Sequence, residues 1–391
     1  MPIRLLFLNT RDDCGADVAV HLTLMKHFAA ERVEVFVMSN SEATEADIMR
    51  AHLAELPHVT AKFVPLGQPA AKLAGRNKLS RAIAYAPSLA SLARIAAFVR
   101  KNRIQLIHAT DRPRDASYAS LLGRLTGTCA VVHMHAPPSE LTRPTIWGMR
   151  NATAIFAVSE FIRRGLIAMG LQADKIFTIH NAVDADHFDP DKQADIQPSI
   201  RETFGIPKSA RLVGIAARMN PWKGQYELIG AVSQLRERFA DLHVMILGAN
   251  VPEFRAEYER RAREGGIADR IHFGGYQKDV RPFLHEFDLF ALPSYGEPFG
   301  LAIAEAMSMR RPVIACNTGG VPEIITHGRD GWLVEERSVD AVAAGLTVLL
   351  NDAELCRQMG DRARETVRSR FTPQLQSAAV MRRYTSLIAA P

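Results

Sequence analysis

Pro293-Ser-Tyr-Gly-Glu297-Pro-Phe299-Gly300-Leu301-Ala-Ile-Ala-Glu305-Ala-Met307 reads as the end of one element, a tight loop and the start of another. The apolar run Leu289-Phe-Ala-Leu292 ahead of it suits a buried strand, and a helix opens near Phe299 to Leu301. The free amides of a helix start, beside a glycine that lets backbone approach closely, make a site for phosphate. Glu305 projects from about the second helical turn, where a carboxylate can accept hydrogen bonds from vicinal hydroxyls such as those of a ribose. Glu297, in the loop, is placed to meet another polyhydroxylated group. Taken alone, the same stretch also reads as a capped, solvent-facing helix with two surface glutamates.

Outward from it, short runs rich in Ile, Val, Leu and Phe recur at helix-length intervals. IRLLFL, VEVFVMS, AKFVPL, IQLIHA, AVVHMH, AIFAVS and KIFTIH form one series, and RLVGIAA, LHVMILG, IHFGGY, LFALPS and PVIACN a second. This rhythm predicts an α/β protein of two doubly wound parallel sheets flanked by helices. At 391 residues two cores are expected, because single cores seldom exceed about 250–300 residues. The polar, Pro- and Asp-bearing stretch DADHFDPDKQADIQPS divides them, giving domains at 1–195 and 196–373. A C-terminal helix at about 374–391 is expected to pack back on the first.

Polar residues cluster just after the predicted strands: Asn9 to Asp17, His108, His135, Ser159, Asn181, Arg218, Pro293 to Glu297, and Thr318 to Glu323. In open parallel sheets the carboxyl edge is where ligands bind. Two such edges facing one interdomain cleft predict a two-part substrate.

Gly214-Ile-Ala-Ala-Arg218-Met-Asn-Pro221-Trp-Lys223-Gly224 puts two cations across a Pro turn after the first strand of the second domain. Departure of a diphosphate builds negative charge that fixed Arg and Lys groups can stabilise without a metal. A solvated basic turn is the plainer alternative.

Arg218 with Lys223, the Glu297-x7-Glu305 motif with its Pro-Phe-Gly-Leu centre, and Gly319-Gly320-Val-Pro322-Glu323 together resemble the large retaining GT-B glycosyltransferase family (family 4, group 1). That family includes sucrose synthase-like and mannosyltransferase enzymes. Val158-Ser159-Glu-Phe and Asn181-Ala-Val-Asp184 resemble two further landmarks, so the similarity runs nearly end to end. The resemblance implies a GT-B fold, an acceptor-binding first domain and a donor-binding second domain. It also implies transfer of a hexosyl group from a nucleotide-diphosphate sugar, UDP-sugar first and GDP-mannose next, to a glycan, lipid-linked or small-molecule acceptor in cell-envelope polysaccharide or glycoconjugate synthesis.

By that resemblance Arg218 and Lys223 bind the donor diphosphate, Glu305 the ribose and Glu297 the transferring sugar. The Phe299, Gly300 and Leu301 amides touch sugar and phosphate. His135 matches a family histidine beside the donor sugar, although a lone strand-end histidine is more often a structural hydrogen-bonder; its neighbour His133 is expected on the other strand face. Gly15 remains able to offer an amide to the reaction centre. Its loop, Asp12-Asp13-Cys14-Gly15-Ala16-Asp17, departs from the family's paired glycine and glutamate, which puts the acceptor side in question. Members of the family are thought to let the leaving phosphate take the acceptor proton, so no protein nucleophile, metal or cofactor is expected. Asp184-Ala-Asp186 has a metal-binding form but lies far along the chain from the diphosphate residues.

Other readings are a sugar-nucleotide epimerase or phosphorylase of the same fold and a non-catalytic membrane-associated protein. A nicotinamide-binding G-x-G-x-x-G is missing after the first strand. The positive excess belongs to the first half, with 22 Lys and Arg against 17 Asp and Glu in residues 1–190, and 26 against 25 thereafter. No acid lies between Glu55 and Asp111, while Lys62, Lys72, Arg76, Lys78, Arg81, Arg94, Arg100, Lys101 and Arg103 do. With Leu89, Leu92, Ile95, Ala96 and Val99 near helical spacing, this segment predicts peripheral contact with anionic lipid. Few aromatics and no binding module argue against nucleic acid. Scattered Cys14, Cys129, Cys316 and Cys356 and an opening apolar run too short for a signal peptide fit a reducing cytosol, with the inner face of the cytoplasmic membrane as the surface the basic segment would meet.

Overall fold

A computed structural model of the protein describes residues 2–67, 78–192 and 199–389, with side chains of the helix Lys78–Lys101 described from Pro87 onward. Apolar runs become strands wherever both faces are covered. In β1 (Ile3–Asn9) the side chains of Leu5, Leu6, Phe7 and Leu8 are all buried, which only a sheet with helices on both faces allows. The first sheet adds β2 (Val33–Asn40), β3 (Val59–Val64), β4 (Leu106–Thr110), β5 (Cys129–Met134), β6 (Ala154–Ala157) and β7 (Ile176–Thr178). Its order is β3-β2-β1-β4-β5-β6-β7, with every pairing parallel.

The second sheet holds β8 (Arg211–Ala216), β9 (Leu242–Leu247), β10 (Ile271–Gly275), β11 (Leu289–Leu292), β12 (Val313–Cys316) and β13 (Trp332–Val334). It runs β10-β9-β8-β11-β12-β13, again all parallel. Both are doubly wound sheets, with order reversing between β1 and β4 in one and between β8 and β11 in the other. At such a reversal the two following loops diverge to opposite faces and leave a crevice.

The chain forms two compact units, Met1–Asn181 with Pro373–Pro391, and Ala182–Thr372. The expected boundary at 195 and 196 falls outside the described residues, but the segment ahead of it already packs within the second unit. There the Val183 N–H donates to the Phe371 carbonyl (2.9 Å), the Ser308 hydroxyl to the Phe188 carbonyl (3.0 Å), and Arg364 pairs with Asp189 (3.1 Å). The division among described residues therefore comes earlier, at Asn181. The helix Pro373–Ala389 belongs to the first unit, where Tyr384 is buried with its ring 6.2 Å from Phe28 and 6.0 Å from Phe156.

The expected lipid-facing stripe is corrected by the packing. Leu92, Ile95, Ala96 and Val99 are buried in one cluster with Leu6, Leu8, Phe36 and Ile107, so the apolar face covers the sheet. Leu89 alone of the five is exposed, at 66%. Lys72 and Arg76, and the side chains of Lys78 and Arg81, lie outside the described residues. Among described residues no helix is long and apolar enough to cross a membrane.

Candidate functional site

In the second unit, the loop after β8 and the loop after β11 leave the sheet on either side of its order reversal. The first contains Arg218, whose side chain is exposed, and then a 3-10 turn, Pro221–Lys223, capped by the Asn220 side chain, which accepts from the Trp222 N–H (3.2 Å). Gly224 follows with φ 80°. A Cβ there would strike the Pro293 carbonyl, so this glycine lets the β8 loop lie directly against the β11 loop. The Tyr295 N–H donates to the Trp222 carbonyl (2.8 Å) and fastens them.

This brings Lys223 to Glu297. The Lys223 Nζ donates to both carboxylate oxygens, at 3.0 and 2.8 Å, with the side chains only 16% and 12% exposed. The Ser294 hydroxyl donates to the same carboxylate (3.0 Å). A third loop, after β12, closes on the other side, where the Gly320 N–H donates to the Glu297 carbonyl (2.8 Å). Gly319 has φ 66°, and a Cβ there would sit 2.7 Å from the Glu297 nitrogen. Glu297 is thus fixed by main chain and side chain together.

Gly300 caps the helix Leu301–Ser308 without a side-chain hydrogen bond to its first amides. Phe299 is buried edge-to-face on Phe371, 5.6 Å between centroids, and anchors the helix start. Glu305 lies one turn in. Burial pushes its carboxyl up to about 7, and among described residues no hydrogen bond or charge offsets that cost. A partly buried carboxyl without a donor is a poor structural element and a good acceptor for ligand hydroxyls.

The sequence singled out Arg218, Lys223, Glu297, Phe299, Gly300, Leu301 and Glu305, and all lie on the carboxyl edge of this sheet. Gly224, Ser294 and Tyr295 lie inside the stretches the sequence marked but were given no role there, since the contacts they make across the loops have no local signal. Asp184 and Asp186 form a turn, with the Asp184 carboxylate accepting the N–H groups of Asp186 and His187 at 3.1 Å each.

In the first unit the loops after β1 and β4 flank the corresponding reversal. Gly15 caps the helix Ala16–His27 with no side-chain bond. Buried Asp17 pairs with Arg11 (2.6 Å) and Arg112 (3.3 Å). Burial opposes its ionisation, yet the charges of Arg11 and Arg112 hold the carboxyl down to about 2. Thr10, Arg11, Asp12, Arg112, Arg114 and Tyr118 help line a cavity of about 460 Å³, large enough for a sugar or head group. A larger hollow, about 860 Å³, lies by Ile3, Val33 and Gln374, at the amino edge of the same sheet, and carries none of the candidate residues.

His135 follows β5, its N–H and that of Ala136 both held by the Asp111 carboxylate at 2.8 and 2.7 Å. Burial keeps its imidazole below the usual range against the pull of Asp111 and Asp17. His133 does not point to the opposite face. Residues two apart on a strand share a face, and the two rings are 4.2 Å apart. His108 lies inside β4, fully buried, and Ser159 is a helix cap accepting from the Ile162 N–H (3.2 Å); both are structural.

Residues 196–366 match the family described as Glycosyl transferases group 1, and residues 18–187 that described as Glycosyltransferase Family 4. The D-inositol 3-phosphate glycosyltransferase of Corynebacterium glutamicum is 32% identical over 226 residues, 55% of this chain and 53% of that protein. A GDP-mannose-dependent alpha-(1-6)-phosphatidylinositol monomannoside mannosyltransferase of Mycobacterium tuberculosis is 32% identical over 198 residues, 48% and 50% of the two chains. The matches thus span about half the length of these relatives. The Anabaena protein HepE, solved in complex with UDP, superposes with a TM-score of 0.81 over 98% of this chain and 100% of its own at 20% identity, a likeness of fold. With one family match on each unit, the chain belongs to the retaining GT-B glycosyltransferases of family 4, group 1.

Proposed function

We propose that the protein transfers a hexosyl group from a nucleotide-diphosphate sugar to a hydroxyl acceptor with retention of anomeric configuration. The observation that carries this reading is the fixed Lys223–Glu297 pair on the same sheet edge as the uncapped helix start at Gly300 and the unpartnered Glu305. A diphosphate is an anion for Lys223, Arg218 and the helix amides; a ribose supplies the hydroxyl donors that Glu305 lacks. Charge that develops on the leaving diphosphate meets groups already in place, so little reorganisation is needed. The departing phosphate oxygen takes the acceptor proton, and the C1–O bond to the acceptor forms on the face the leaving group vacates. No step draws on a metal or cofactor.

The donor is a UDP-sugar first and GDP-mannose next; the mannosyltransferase relative names GDP-mannose, and the HepE structure holds UDP. The acceptor fits the 460 Å³ cavity lined by Arg11, Arg112 and Tyr118, which suits a polyhydroxylated or lipid-linked head group. His135 and Gly15 retain the sugar-contacting roles the family resemblance implies. The test is to incubate the protein with a panel of UDP- and GDP-sugars and candidate acceptors, and read the anomeric configuration of the product by proton NMR. An α-linked product from an α-linked donor is expected. An inverted product, or no turnover of any nucleotide sugar, is incompatible with the proposal.

A further inference from the structure

His21 lies on the helix Ala16–His27, and His133 and His135 on and just beyond β5. Their ligand-capable nitrogens lie within 4.8 Å of one another. The Nε2 atoms of all three are buried and have no hydrogen-bond partner. A single unpaired imidazole nitrogen against apolar surface is common enough. Three that converge on one point leave three polar atoms desolvated with nothing in return, unless something sits between them.

The surroundings select what that is. All three rings lie in the interior with their Nε2 atoms closed off from water, and a neutral imidazole carries one N–H and one lone pair, so each can turn a lone pair to an ion if its Nδ1 holds the proton. His133 is oriented from behind, with its Nδ1 3.3 Å from His108 Nε2, and His108 Nδ1 in turn bonds the Tyr384 hydroxyl. In one of the two proton arrangements of this chain, His133 Nδ1–H donates to His108 and His108 Nδ1–H donates to Tyr384. That arrangement aims the His133 Nε2 lone pair into the cluster, the second-shell device that fixes the tautomer of a metal-bound histidine. Negative charge is at hand: the Asp111 carboxylate accepts the His135 N–H at 2.8 Å, and among the described residues its other oxygen, Oδ1, is buried and unpartnered.

We propose that His21, His133 and His135 form a three-imidazole site for a late first-row divalent cation, zinc above all. Three imidazole nitrogens, joined by no thiolate or carboxylate among the described residues, suit Zn²⁺ or Co²⁺ and are wrong for Mg²⁺ or Ca²⁺, which take oxygen ligands. Ligand bonds of about 2.0–2.1 Å place nitrogens roughly 3.4 Å apart around a tetrahedral ion, so the three rings close by about an ångström through side-chain rotation. The ion would tie the first helix to β5 and fix the His135 ring at the strand end. It lies among residues of the first unit only, and the diphosphate chemistry of Lys223 and Arg218 does not depend on it.

The test loads metal-free protein with Co²⁺, removes excess by gel filtration, and measures bound cobalt and its visible spectrum. About one ion per chain with the intense bands of a four-coordinate site is expected. His21→Gln and His133→Gln should each lose it with far-UV circular dichroism unchanged. His243→Gln should retain it, although His243 and His272 form another histidine pair, at 2.9 Å. X-ray absorption at the cobalt edge of the wild type needs no variant and should show three imidazole ligands. Absence of retained cobalt, equal retention in the His21 and wild-type proteins, or an oxygen-only first shell would each overturn the site.

Discussion

Glu305, the proposed ribose contact, differs from a side chain that only holds the fold. Its carboxyl is pushed up to about 7 from an ordinary 4.5 by burial alone. Folded protein therefore holds a proton that unfolded protein has lost between about pH 4.5 and 7, and stability falls as pH rises through that window, with the full loss present above it. Glu305→Gln should match the wild type in stability near pH 4 and exceed it at pH 8 by on the order of 1–3 kcal/mol, read from denaturant melts at the two pH values. The same variant should bind nucleoside diphosphate about 10–100-fold more weakly, the cost of one or two bonds to a charged acceptor. Its affinity should also lose the rise with pH that the wild type shows near 7. A variant that is destabilised at pH 8 would mark Glu305 as structural. Lys223 and Glu297 behave oppositely, since each is satisfied by the other. Lys223→Ala or Glu297→Ala should each destabilise the fold by roughly 1–3 kcal/mol, and the double variant by clearly less than the sum. An additive cycle would mean that the pair is not coupled in solution.

At the scale of elements, the site is a product of three loops pressed together, and two glycines set their spacing. Gly319→Ala places a methyl against the Glu297 backbone at a position with φ 66°, and Gly224→Ala does the same against Pro293. Both should cost about 2–4 kcal/mol and lower turnover more than nucleotide loss by unfolding explains, when assayed well below the melting temperature. Wild-type turnover in both would show the loops to be more compliant than drawn. The twelve apolar runs that marked strands were plain in the sequence because buried parallel strands read as continuous hydrophobic stretches. Trp332–Val334 was not, since its three residues stand between Asp330-Gly331 and Glu335-Glu336, which cut the apolar run short on both sides. The Glu297 and Glu305 elements were legible from one motif, whereas the Gly224–Pro293 contact joins residues about seventy apart and has no local signal. The helix carrying Leu92, Ile95 and Val99 shows the converse. Its apolar stripe and its basic residues were both visible, but which face meets the sheet is a tertiary fact.

For the whole molecule, two doubly wound sheets repeat one arrangement of charged and polar groups at the order reversal, with different residues. In the second unit it presents Arg218, Lys223 and Glu305. In the first it presents Arg11, Asp17 and Arg112, with His135 beside them and His21 and His133 behind. The second unit's set was largely readable because the proposed donor residues sit in short contiguous motifs. The Asn9–Asp17 loop was marked, but the pairing of Arg11 and Arg112 was not readable, being made only when Asp17 folds between them, and His21 lies in a helix where a histidine is unremarkable by sequence. The domain boundary was displaced for a similar reason: residues 182–192 look like a polar linker, yet Asp189 and Phe188 are held by Arg364 and Ser308. In the proposed reaction the second unit binds the diphosphate of a sugar donor through Lys223 and Arg218 without a metal. Isothermal titration of UDP and GDP into the wild type, Lys223→Ala and Arg218→Ala, each with EDTA present, tests it most directly. At least one nucleotide is expected to bind the wild type in the micromolar to low millimolar range regardless of EDTA, with each variant losing about tenfold or more in affinity; equal binding by wild type and both variants, or binding abolished by EDTA, would rule out metal-free diphosphate binding by these two side chains.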